Sequence, residues 1–239
     1  MAARRRPSRP VIDKIVPTAA AAVADVHDGA TIMVGGFGTA GIPFELIDAL
    51  IATGARDLTV VNNNAGNADT GVAALLKTKR VRRIVCSFPR QVDSWVFDAL
   101  YRTGEIELEL VPQGNLAERI RAAGAGIGAF YTPTGYGTQL AEGKETREIA
   151  GRRYVLEYPI HADFALIKAQ AGDRWGNLVY RKTARNFGPI MAAAAKCTIA
   201  QVASVVGLGE LDPEAIVTPG IYVHRVVAIA DAATPAVAA

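Results

Sequence analysis

Along the first half of the chain, short runs of consecutive apolar residues alternate with stretches in which apolar positions recur every three or four residues. The runs at 31–34, 58–61, 84–86 and 106–111 read as buried strands, and the stretches at 44–52, 70–77, 94–101 and 116–122 as amphipathic helices. This alternation predicts an α/β fold, an open, mostly parallel sheet covered by helices. Gly54, Gly104 and Gly124 fall near helix ends, where a left-handed C-terminal cap is expected. The second half is more strand-like, with apolar runs at 154–157, 164–167, 178–180 and 198–202. Between the halves, residues 124–137 are rich in Gly, Thr, Pro and Tyr and read as a long ordered loop, which is uncommon unless functional.

The most informative junction follows the first strand. Thr31-Ile32-Met33-Val34 runs into Gly35-Gly36-Phe37-Gly38-Thr39-Ala40-Gly41, and Pro43 then opens a helical pattern. A strand therefore enters a nearly bare backbone loop, with proline where an unused N–H is harmless. Such a loop tolerates positive φ and offers backbone N–H groups to an anion. Residues 36–41 also spell the dinucleotide pattern G-x-G-x-x-G. That reading needs an acidic residue at the end of the next strand to hold a ribose hydroxyl. The next strand ends instead in Asn62-Asn63-Asn64-Ala65-Gly66, so a nicotinamide cofactor is not expected.

Asp28-Gly29, Ile32-Met33-Val34, Gly35-Gly36-Phe37 and Gly41-Ile42-Pro43 together fill the glycine signature of the family I CoA-transferases, with no departure. The resemblance extends over roughly residues 11–227. Asn63-Asn64-Ala65-Gly66, residues 111–119, 130–135 and 142–144, Asp163 to Lys168, and Arg185-Asn186-Phe187 follow in the family's order. In this region the chain resembles the A-type (alpha) chain of a 3-oxoacid CoA-transferase. The resemblance implies a CoA-transferase alpha-subunit fold over 11–230, between a basic tail at 1–10 and a C-terminal tail at 231–239. It implies coenzyme A as a substrate, delivered as succinyl-CoA, with no permanently bound cofactor. It also implies that the partner is a B (beta) subunit, which carries the nucleophilic glutamate in a Ser-Glu-Asn-Gly or similar motif. This sequence has no such motif. Glu118, Glu142 and Glu157 read as surface or structural carboxylates, Glu142 being the rival nucleophile because it follows the 124–137 segment.

On this reading the chain supplies the opposite wall of the site. The loop Gly35, Gly36, Phe37, Gly38, Thr39, Ala40 and Gly41 is expected to approach CoA. Gln113, just after a strand, is expected to support catalysis with its amide. Asn63, Asn64 and Arg90 are expected to bind substrate. Arg90 lies in Ser87-Phe88-Pro89-Arg90-Gln91, which looks like the members acting on 3-oxoadipate; an acetoacetate-type acceptor is the alternative. A guanidinium can clamp the far carboxylate of a dicarboxylic acid. Lys144, Lys168, Arg181, Lys182 and Arg185 are alternative cations.

Composition narrows the rest. The 239 residues are 50% hydrophobic and 21% charged, ordinary for a globular chain. The net charge is +3, but Arg4, Arg5, Arg6 and Arg9 come from the tail, so the body is near neutral and no nucleic-acid surface is expected. No apolar run is long enough to span a membrane, and the arginines precede no secretory h-region. Cys86 and Cys197, in apolar runs, read as buried free thiols in a reducing, cytoplasmic setting. His27, His161 and His224 lack metal-ligand spacing, and no metal is expected.

Overall fold

The computed structural model describes residues 11–229; the two tails expected at 1–10 and 231–239 lie outside them. After a single helical turn, α1 (Ala19–Ala22), strands and helices alternate as expected. They are β1 (Thr31–Val34), α2 (Phe44–Thr53), β2 (Leu58–Val61), α3 (Val72–Lys77), β3 (Val81–Cys86), α4 (Trp95–Arg102), β4 (Glu107–Leu110) and α5 (Gln113–Gly124). The chain continues through β5 (Phe130–Thr132), β6 (Thr146–Ile149), β7 (Arg152–Glu157), β8 (Ala162–Asp173) and β9 (Leu178–Val179). It then adds α6 (Gly188–Ala194), β10 (Ala195–Val206) and β11 (Arg225–Ala228).

The main sheet has the order β11-β10-β8-β1-β2-β3-β4, all parallel, with β9 antiparallel on the far end of β8. Across its centre both faces are buried, which is why β1, β2 and the middle of β8 read as continuous apolar runs, whereas edge strand β4, Glu-Leu-Glu-Leu, is only partly covered. Ile32, Val34, Val60 and Ile84 point into one core layer, shared with Leu46, Leu50, Leu76 and Phe97 of α2, α3 and α4. Met33, Val61, Val85, Ala165 and Ile167 point into the other, against Leu116 and Ile120 of α5 and Met191 of α6. The period of two along each strand thus sends successive side chains to opposite cores. No helix among the described residues is long and apolar enough to cross a membrane.

Several sequence expectations need correction. The segment 124–137 is not an uninterrupted loop: it contains β5, which joins β7 and β6 in a separate antiparallel sheet of three strands. Gly54 adopts φ 81 and caps α2 as expected, and Gly104 is left-handed at φ 71. Gly124 is instead the last helical residue of α5. A Cβ there would lie 2.7 Å from Ala193 Cβ and 3.0 Å from its carbonyl carbon, so this glycine permits close contact between α5 and α6. The helix α6 has no sequence boundary with the strand after it, because the alanine-rich stretch from Ile190 to Ala200 contains no Gly, Pro, Asn or Asp; α6 passes directly into β10 at Ala195. Cys86 is fully buried, but Cys197 only half so. Burial pushes the Cys86 thiol up to about 12, so it is protonated at neutral pH and is no nucleophile.

Candidate functional site

In the sheet, β1 to β4 run outward from the centre in one direction, and β8, β10 and β11 fill the other side. The order therefore reverses between β1 and β8, and open α/β sheets bind ligands in the crevice at such a point. The segments leaving β1, β2 and β3 and the start of α5 after β4 converge there. They line a cleft of about 450 Å³ formed by Phe37, Gly38, Asn63, Asn64, Ser87, Phe88, Gln91 and Gln113.

The glycine loop closes on itself before it offers anything to a ligand. Phe37 N–H donates to the Ala40 carbonyl at 3.0 Å, and Ala40 N–H returns a bond at 3.1 Å. Gly35 N–H donates to Leu166. Gly36 N–H donates to Asn186 Oδ1 at 3.1 Å, and Asn186 Nδ2 donates to the Ala40 carbonyl at 3.0 Å. The expectation of a cradle of free N–H groups is therefore trimmed: Gly38 and Thr39 keep donors without an acceptor among the described residues. Gly38 has φ 60, and a Cβ placed on it would meet no atom within 4 Å, whereas a Cβ at Gly41 would sit 2.4 Å from the Ala184 carbonyl oxygen. The loop is a rigid turn whose tip carries Phe37, 49% exposed.

The three asparagines divide between fold and cleft. Asn62 is fully buried, and its Nδ2 donates to the Val34 carbonyl at 2.6 Å, tying the end of β2 to the end of β1. Its Oδ1 accepts from Asn64 N–H at 2.9 Å. Asn63 Oδ1 accepts twice at 2.8 Å, from Ser87 Oγ and from Gln113 Nε2. Asn64 Oδ1 accepts from Gly66 N–H at 2.9 Å, but its buried Nδ2 has no partner among the described residues. An amide N–H left unmade in a buried site is costly unless something arrives to accept it.

Gln113, Asn63 and Asn64 thus come together, and the Gly38 tip joins them. Arg90 does not line the cleft. Its Nε pairs with Asp98 Oδ1 of α4 at 2.6 Å, and its side chain is half exposed. Lys144 is also engaged, by the buried carboxylate of Glu157 at 2.8 Å, which accepts from Asn115 as well. Glu118 pairs with Arg121 on the surface of α5, and Glu142 is exposed. Four site-forming residues, Ser87, Phe88, Gln91 and Asn186, stand in the sequence only as members of motifs, with no role assigned to them. Ser87 is the first residue past β3, a placement that could have flagged it. Asn186 holds the glycine loop from 150 positions away, which no local pattern reveals. Among the residues lining the cleft there is no carboxylate, thiol or imidazole. The arrangement can orient and polarise a carbonyl or carboxylate through neutral donors, but its one hydroxyl, Ser87 Oγ, is committed to Asn63 and has no base beside it to make it a nucleophile.

Comparison with known proteins agrees with this architecture. The Coenzyme A transferase family model matches residues 16–228. The chain is 72% identical over 228 residues to the A subunit of 3-oxoadipate CoA-transferase from Pseudomonas putida, covering 95% of this chain and 99% of that one. It is 50% identical over 214 residues to the A subunit of a probable succinyl-CoA:3-ketoacid coenzyme A transferase from Bacillus subtilis, covering 90% of this chain and 89% of that one. Among solved structures, an acyl-CoA transferase from E. coli O157:H7 in a thioester complex with CoA superposes with a TM-score of 0.81 at 23% identity. That match covers 91% of this chain and 50% of the other. The order of the sheet, the glycine turn and the family match all lead to one assignment: the chain belongs to the coenzyme A transferase family.

Proposed function

We propose that this chain is the A subunit of a succinyl-CoA:3-oxoadipate CoA-transferase and forms one wall of a site whose nucleophilic glutamate is carried by a B subunit. The observation that carries the proposal is the chemical character of the cleft, which is lined by amide groups and the glycine turn and whose one hydroxyl, Ser87 Oγ, donates to Asn63 with no base among the lining residues to activate it. A carboxylate is a poor electrophile, so moving CoA between two acids calls for covalent catalysis. The glutamate attacks the succinyl-CoA carbonyl, the C–S bond breaks, and a mixed anhydride and CoA thiolate result. The thiolate then attacks the glutamyl carbonyl, releasing succinate and leaving a glutamyl-CoA thioester. The 3-oxoadipate carboxylate enters by the same steps in reverse.

Each step passes through a tetrahedral oxyanion. We assign Asn64 Nδ2 and the Gly38 N–H as its donors on this side, because both residues line the cleft and neither group has a partner among the described residues. Gln113 and Ser87 fix the Asn63 amide, so its orientation does not depend on bound substrate. Gln113 acts in support. The choice of 3-oxoadipate rests on the 72% identity to a relative of that name, against 50% for one named for 3-ketoacids.

The test is reconstitution. The isolated chain is expected to exchange no CoA between succinyl-CoA and 3-oxoadipate. With a B subunit, turnover should follow ping-pong kinetics, and mass spectrometry should find the CoA thioester on the B chain. Robust turnover by the isolated chain, or a thioester on Glu142, would sink the split-site reading.

A further inference from the structure

On the other side of the glycine loop from the amide cleft lies a second, larger depression. It occupies about 800 Å³ and is lined by Phe37, Ala40, Tyr180, Lys182, Arg185 and Asn186, with Thr183 and Val217. A third recess of about 360 Å³ adjoins it through Ala40, Lys182 and Thr183, and adds Arg181 and Lys168 to the wall. No aspartate or glutamate lines either one. Arg181, Lys182 and Arg185 are exposed and form no ion pair among the described residues. Most other cations around the site are already engaged: Arg90 by Asp98, Lys144 by Glu157 and Arg119 by Glu109.

The backbone carrying these cations is fixed. Gly41 packs under the Ala184 carbonyl, where a Cβ would come within 2.4 Å. Asn186 is bonded at once to Gly36, Ala40, Thr183 and Phe187. Lys182 has φ 51, a left-handed conformation uncommon for a residue with a side chain. Such outliers persist where the surroundings over-determine them, and they concentrate at ligand clamps. The cations are thus docked onto the same turn that borders the amide cleft.

We propose that the segment Arg181–Arg185 forms a phosphate-binding subsite on this chain. It would hold the phosphate groups of the CoA nucleotide while the thioester end reaches past Phe37 into the Asn63–Asn64 cleft. Phe37 borders both depressions, so one extended ligand can cross the loop tip. A single acyl carboxylate would need one cation; three unneutralised cations within five residues match a polyanion. The proposal rests on the CoA-transferase reading above. A lysine and two arginines facing an acidic surface of the B subunit is the competing account.

The assembled A–B complex with Lys182→Gln and Arg185→Gln together tests it, because both side chains are exposed and no core contact is removed. Direct binding of CoA and of pantetheine, which lacks the phosphates, is measured by calorimetry. Assembly is checked by size-exclusion chromatography. Losing charge-assisted bonds should weaken CoA at least about 10-fold. The preference of the complex for CoA over pantetheine should shrink by the same factor, and Arg185→Lys alone should restore part of it. An unchanged preference, an equal loss for pantetheine, or failure of the variant to assemble would each overturn the proposal. The readout is binding rather than turnover. A wild-type complex that binds CoA through its phosphates yet moves none between acids would sink the transferase reading and leave the subsite standing.

Discussion

At the scale of single residues, Asn64 uses the two ends of one amide differently. Oδ1 holds the Gly66 N–H at 2.9 Å, and Nδ2, buried at the cleft, has no acceptor among the described residues. Asn64→Asp keeps the acceptor and removes the donor. Loss of one oxyanion donor lowers kcat by about 10²–10³-fold in comparable sites. We expect a fall of that order in the assembled enzyme, read from steady-state kinetics; a kcat within a few-fold of wild type would remove Asn64 from the reaction. Arg90 poses the opposite question, since it already has an anionic partner in Asp98. If its remaining N–H groups clamp the far carboxylate, Arg90→Met costs about 1.5–3 kcal/mol. That is about 10- to 150-fold in kcat/KM for 3-oxoadipate. Acetoacetate, with no second carboxylate, should be nearly unaffected. Succinyl-CoA carries its own free carboxylate, so both acceptors must be compared in the half-reaction from preformed enzyme–CoA thioester. Equal losses would leave Arg90 with the structural task of fastening its loop to α4.

At the scale of elements, the glycines of the first loop are not interchangeable. Gly38 has positive φ and open space around it, and it lines the cleft. Gly38→Val should therefore assemble and fold but lose activity by orders of magnitude, because a β-branched side chain strains the turn and occupies the ligand's path. Gly41→Ala should instead loosen the protein, since its methyl would meet the Ala184 backbone. Full activity in folded Gly38→Val would show that the turn does not touch substrate. The α5–α6 contact makes a second prediction of sign. In a free helix, replacing glycine by alanine stabilises by about 1 kcal/mol. At Gly124 the new methyl would overlap Ala193 at 2.7 Å, its backbone included, and overpacking costs about 1–3 kcal/mol. Thermal denaturation of Gly124→Ala should show a lower melting temperature; a rise would mean the two helices part easily.

At the scale of the whole molecule, β10 and β11 close one edge of the sheet, and His224 helps join them. Its Nδ1 accepts from Thr198 N–H at 3.0 Å, while its own backbone N–H donates to the Thr198 carbonyl. Partial desolvation of the ring, in a residue that is otherwise exposed, together with the nearby Lys14 and Arg225, holds the imidazole below its ordinary value of 6.5. The unfolded chain therefore takes up the proton first as pH falls, and stability is lost from about 6.5 downward until the folded protein protonates too. Melting temperature should decline between pH 7 and 5, and less steeply in His224→Asn, which has an acceptor that does not titrate; identical slopes would clear His224. The alternation of strands and helices, the turn at Gly35–Gly41 and the family resemblance were legible in the sequence, because period and backbone freedom are written in neighbouring residues. The asparagine run was legible as a cluster, but not its division into Asn62 for the fold, Asn63 as a doubly bonded acceptor and Asn64 with a free donor. That division depends on which strands lie side by side. Only the tertiary structure placed β8 against β1, which brings Asn186 to the glycine loop, and set β2, β3 and β4 side by side, which seats Gln113 on Asn63. It also decided which cations are neutralised and which face open space, since ion pairing joins residues far apart in sequence and leaves no local signature.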